Sequence, residues 1–112
     1  MSRLTARQVA DRAIAAYLGT LTAVGITPPN VRAAQYAGNI RLLRIGEQAA
    51  NNAAYRLADG NARTAAVTAV AVWGEFVHLW EHNASLRDLH TLAEALADVN
   101  DRAAWTTAAA TA

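Results

Sequence analysis

The chain has no cysteine and no lysine, only two prolines and six glycines in 112 residues, and no long uninterrupted apolar run. Without cysteine there is no disulfide frame, no thiolate metal site and no cysteine nucleophile. With so little Pro and Gly there are few helix breakers, and long helices are expected. The longest near-apolar stretch, Ala65 to Trp80, is interrupted by Thr68, Glu75 and His78 and is too short for a membrane span. The opening "MSRLTARQVADR" lacks the apolar run of a signal peptide. These absences point to a cytoplasmic protein with no membrane contact. No Gly-rich phosphate loop or Gly-x-Ser-x-Gly elbow occurs, so no catalytic residue is assigned and a non-enzymatic role is expected.

Hydrophobic residues make up 54% of the chain, but 29 of the 112 residues are Ala. Ala is the best helix former, yet each Ala buries little area. The larger core-formers are scattered Leu, Ile and Val, three Trp, three Tyr and Phe76. This composition predicts one all-α domain with a modest core, stabilised in part by association with another copy or another protein.

Charge is unevenly placed. All ten cations are Arg, as a GC-rich genome, such as that of a phage or plasmid host, would write them. Residues 1–63 hold eight Arg against Asp11, Glu47 and Asp59, a net of +5, and residues 64–112 hold Arg87 and Arg102 against six acids, a net of −4. Such halves can attract each other, or those of a second copy.

Helical periodicity divides the chain into four segments. The first covers 6–24, opened by the capping-box pattern of Thr5 and Gln8 and stopped at Gly25, with Val9, Ala13, Ala16, Tyr17, Leu21 and Val24 on one face. After "GITPPN" a second helix is expected over about 29–58, with Val31, Ile40, Leu42, Leu43, Ile45, Ala49, Ala53 and Leu57 facing the core. A third covers 62–82 behind an Asn61 cap and is apolar around most of its circumference. A fourth covers 86–100 after the Ser85–Asp88 capping pattern, with Leu86, Leu89, Ala93 and Leu96 on its seam and Asn100 at the next seam position, where a buried Asn sets register. Residues 101–112 are expected as a tail that extends this helix or frays, with Trp105 as its anchor. The short connections predict an up-down four-helix bundle.

Functional chemistry concentrates in "EFVHLWEH", residues 75–82. At about 100° per residue, Thr64, Thr68, Glu75, His78 and His82 share a strip about 80° wide. Glu75 with His78, and His78 with His82, are one turn apart, the spacing that lets helical ligands converge on one ion. Counting from a turn at Asn61, Glu47 is level with Glu75. Glu47 together with Glu75-x-x-His78 resembles half of a ferritin-like di-iron site, as in encapsulated ferritins. That resemblance implies iron, or zinc, held by Glu47, Glu75, His78 and His82, with two copies completing the site. "HLWEH" is also similar to the His-x-x-Glu-His string of inverted zinc proteases, but the further acidic ligand those enzymes need has little chain left to supply it. The bland alternative is that the strip is the hydrated edge of an otherwise buried helix.

Two further surfaces stand out. Trp73, Phe76 and Trp80 form an aromatic seam, ordinarily read as core and alternatively as a ridge for self-association or a partner protein. Arg41, Arg44 and Arg56, with Gln48, Asn51, Asn52 and Tyr55, form a basic face. A net charge of +1 is poor for the electrostatic term of nucleic-acid affinity, so nucleic acid is not the expected partner. Tyr55 and Asp59 also have the Tyr-x-x-x-Asp spacing that resembles the export signal of mycobacterial small helical secreted proteins, without that family's Trp-x-Gly turn. The leading expectation is a self-associating helical assembly protein, with a metal-binding bundle as the alternative and a nucleic-acid-associated regulator using the basic N-terminal half as a further one.

Overall fold

The computed structural model describes residues 4–27 and 44–111, with side chains as far as Trp105. Within these residues the chain forms four helices and no strand: α1 (Ala6–Ala23), α2 (Glu47–Arg56), α3 (Asn61–Glu81) and α4 (Leu86–Thr111). The all-α four-helix bundle expected from the composition is what forms. No helix among the described residues is long and apolar enough to cross a membrane.

Local chemistry sets most of the boundaries. At α1 the Thr5 N–H donates to Gln8 Oε1 at 2.7 Å and the Gln8 N–H donates to Thr5 Oγ1 at 3.1 Å, a reciprocal capping box. Ser85 Oγ accepts the Asp88 N–H at 3.2 Å and opens α4. The end of α1 is a Schellman turn: Gly25 takes φ +84°, Ile26 N–H donates to Leu21 O at 2.8 Å and Gly25 N–H to Thr22 O at 3.0 Å. The end of α3 repeats the pattern with Asn83 (φ +55°), whose N–H donates to Trp80 O, while Ala84 N–H donates to Leu79 O.

Three boundaries differ from the periodicity. The expected helix over 29–58 is interrupted within its described part, since α2 starts at Glu47 behind Gly46 and ends at Arg56. Gly is the poorest helix former after Pro, and the turn there resets the helical phase. Ile45 is therefore 69% exposed and Ala49 is exposed, while Ala50 and Ala54 face the core. Val31, Ile40, Leu42, Leu43 and Arg41 lie outside the described residues. Asn61 is the first residue of α3, behind a Gly60 cap, instead of being the cap itself. Residues 101–111, expected as a tail that extends the helix or frays, continue α4, as their Ala content favours; Trp105 is 75% exposed.

Side-chain pairs give the helix directions. Leu4 and Val9 line the same cavity as Leu86 and His90, Arg12 meets Glu94, and Gly19 meets Asn100. The two sets of numbers rise together, so α1 and α4 run parallel. α3 runs antiparallel to α4, because its first turns (Asn61, Thr64, Thr68) lie beside Arg102 and Trp105. The end of α1 and Arg44, which pairs with Glu81, consequently stand at opposite ends of the bundle.

α3 is central, packing on each of the other three helices. Trp73, Phe76, Tyr17, Leu21 and Leu96 are fully buried. Trp73 stacks between Tyr17 of α1 (centroids 4.8 Å apart, planes 5°) and Phe76 (5.9 Å, 11°), and Phe76 continues the stack to Trp80 (6.4 Å). Such offset stacks add about 0.5–1.5 kcal/mol per pair beyond area burial.

Candidate functional site

Three places on α3 gather the chemistry, and the first is the junction of α1, α2 and α3. The antiparallel register read from the sequence brings Glu47, the first residue of α2, onto α3 within one residue of Glu75. Its carboxylate lies over Gly74, where an added Cβ would stand 3.5 Å from Glu47 Oε2. Gly74 thus gives the room in which the carboxylate sits. Among the described residues, Glu47 Oε1, the Tyr17 hydroxyl and Trp73 Nε1 are buried with no hydrogen-bond partner. Burial pushes the Tyr17 hydroxyl well above the ordinary phenol range, and the Glu47 charge pushes it further. Burial likewise raises the Glu47 pKa; Arg44 works against this and Glu81 adds to it. Arg44 and Glu81 are themselves an ion pair closing the outer side of the junction. Tyr17 was not marked by the sequence as more than a core aromatic, since a Tyr on an apolar helix face carries no other signal.

The second place is the outer strip of α3. Glu75, His78 and His82 are all exposed, as are Thr64 and Ala71 on the same side. The His78 and His82 rings come together, with centroids 4.3 Å apart and planes at 39°. His82 Nδ1 lies 2.8 Å from the His78 carbonyl oxygen. Glu47 faces Gly74, and the four residues expected to share an ion are not drawn into one group: among the described residues no set of three or more His, Cys, Asp or Glu could hold a metal ion. The third histidine, His90, is on α4, with Nε2 3.6 Å from Glu94 Oε1.

The third place is the end of the bundle where α3 begins and α4 finishes. A groove of about 530 Å³ is lined by Ala65, Thr64, Thr68, Val99, Arg102 and Trp105, with Asn61 and Asp101 at its edge. Tyr55, at the end of α2, is 53% exposed and carries the Arg63 guanidinium over its ring at 5.1 Å. Of the aromatic seam, Trp73 and Phe76 are fully buried in the chain's own core, while Trp80 is half-buried. A partner would reach the first two only by opening the fold. On the basic face, Arg44 is engaged by Glu81 and Arg56 is exposed.

What the fold defines is a class: a small all-α four-helix bundle with an aromatic stack at its centre. Compared with family models, with curated proteins and with solved structures, the chain matches none.

Proposed function

We propose that the chain is a non-enzymatic assembly protein that binds a second copy of itself through the groove between the start of α3 and the end of α4. The observation that carries this reading is Trp105, 75% exposed at the lip of that groove. Exposed indoles are rare on surfaces that meet only water and concentrate where interfaces have their strongest contacts. Asp101 and Arg102 adjoin on the same rim, so a two-fold partner presents Arg to Asp and Asp to Arg, the self-complementarity an isologous contact needs. Two indoles supply about 300–500 Å² of the roughly 1,200–2,000 Å² a stable interface buries. The neighbouring Tyr55 and Arg63 have to contribute, and the dimer is of micromolar strength.

Sedimentation velocity over a concentration series tests this. Wild type shifts from monomer to dimer. Trp105→Ala removes both indoles of the dimer at about 2 kcal/mol each for a central aromatic, about 4 kcal/mol in all or roughly a 1,000-fold loss of dimer affinity, and changes the unfolding free energy of the chain by less than about 0.5 kcal/mol, because the ring is exposed. A wild type that stays monomeric through the highest soluble concentration overturns the reading.

A further inference from the structure

At the other end of α3 the two exposed histidines are arranged by the helix terminus itself. His82 is the C-cap residue of α3, held in place by the Schellman bonds of Asn83 and Ala84. The His78 carbonyl can only accept, so the 2.8 Å contact from His82 Nδ1 puts the ring proton on Nδ1. That leaves the Nε2 lone pair of His82 outward. This is the arrangement found behind metal-bound imidazoles, in which a backbone carbonyl on one nitrogen fixes the tautomer that ligates through the other. His78 is one turn earlier with its ring centroid 4.3 Å away, close enough for both rings to present a nitrogen to one ion. The site lies at the negative end of the α3 dipole, which favours a cation, and Arg44, which pairs with Glu81 at the same end of α3, has its charge met by that carboxylate.

We infer that His78 and His82 form an open, two-imidazole site for a borderline divalent transition ion (Cu²⁺, Ni²⁺ or Zn²⁺), with water or a donor from another molecule completing the coordination. Two nitrogen donors select these ions over Mg²⁺ or Ca²⁺. The inference is independent of the self-association reading. Thr68, the last groove residue of α3, is ten residues before His78, about 15 Å along the helix.

The test is isothermal titration of the untagged full chain with CuCl₂, NiCl₂ and ZnCl₂, with native mass spectrometry for stoichiometry. One ion per chain is expected, Cu²⁺ binding most tightly by the Irving–Williams order. His78→Ala and His82→Ala each weaken binding at least tenfold, whereas His90→Ala and Trp105→Ala leave it unchanged. Both rings are exposed, so the variants keep the wild-type far-UV spectrum and metal-free melting temperature. Absence of saturable binding for all three ions, or unchanged affinity in both single variants, overturns the inference. Loss of dimer in Trp105→Ala with metal affinity intact separates the two sites.

Discussion

Replacing Trp73 tests the centre of the fold. The ring is fully buried and stacked on both faces, by Tyr17 and Phe76. Trp73→Ala removes the transfer energy of the indole and opens a cavity, about 3–5 kcal/mol, and the two stacked pairs add about 0.5–1.5 kcal/mol each. The expected loss is about 4–8 kcal/mol, against the roughly 5–15 kcal/mol total of a domain, so the variant is close to unfolding at room temperature. Trp73→Phe has a different outcome. It keeps a ring in the stack, and the cost of the smaller volume is offset by removing the buried, unpartnered Nε1–H, itself worth about 1–3 kcal/mol when unsatisfied. Urea unfolding followed by far-UV circular dichroism measures both. Trp73→Ala should lose most of the stability and Trp73→Phe less than about 1.5 kcal/mol. If Trp73→Ala costs under about 1 kcal/mol, α3 is not the core helix. If Phe costs as much as Ala, the indole N–H is satisfied and the unpartnered-donor argument fails.

Two other perturbations follow from close contacts. A Cβ on Gly19 would stand 2.7 Å from Asn100 Oδ1. Gly19→Ala should therefore turn the usual gain of about 1 kcal/mol for Ala in a helix into a net loss of up to about 2 kcal/mol, and become stabilising when combined with Asn100→Ala; a double-mutant cycle with no coupling refutes the contact. Glu47 has a pKa raised above its ordinary 4.5, chiefly by burial, with Glu81 and the opposing Arg44 as the charges around it. The folded state then holds the proton more tightly than the unfolded one, so its contribution is full below the ordinary value and is lost as pH rises through the folded one. The stability of Glu47→Gln relative to wild type should rise from about pH 4 to pH 7, as read from urea midpoints; a flat or falling difference refutes the burial of that carboxylate.

Much of this was legible in the sequence wherever one short-range signal acted alone. Thr5 with Gln8, Gly25 and Ser85 mark helix ends because each satisfies specific backbone groups within four residues, and those ends are where expected. The seam of α4 through Leu89, Ala93 and Leu96 is buried as its period requires, while Leu86, the first residue expected on it, is 38% exposed at the start of the helix. The register of α2 on α3 follows from counting out from a short turn, and it brings Glu47 to Gly74. What could not be read is which side of α3 the carboxylate meets. Gly74 and Glu75 are about 100° apart around the helix, and that rotation separates a buried carboxylate from an ion shared with His78. Gly46, inside the apolar period of the segment 29–58, interrupts the helix there, as its backbone entropy favours. An aromatic at helical spacing looks the same in a core as in an interface, so spacing alone does not tell that Trp73 is fully buried and Trp105 is 75% exposed.

The parallel course of α1 and α4 bears on how a second copy can bind. Parallel neighbours align their dipoles unfavourably, so side chains have to offset the cost. Small residues do part of this: Ala16 faces Ala93 and Ala97, and Gly19 admits Asn100, allowing close approach of the axes. Charge does the rest, since Arg12 of the basic half meets Glu94 of the acidic half at 3.4 Å, as Arg44 meets Glu81 on the far side of α3. The asymmetry of +5 and −4 is thus partly spent within one chain, and these pairs are unavailable to bring two chains together. If two copies associate as proposed, these pairs leave the contact to the groove beside Trp105, where an exposed indole lies beside Asp101 and Arg102. On this reasoning the dimer should be nearly insensitive to salt, because its screened component is one Asp101–Arg102 pair on each side of a two-fold axis, worth about 0–1 kcal/mol each when exposed. Sedimentation at low and at high salt measures that directly, and a dimer that dissociates on adding salt alone would place the contact on the charged faces instead.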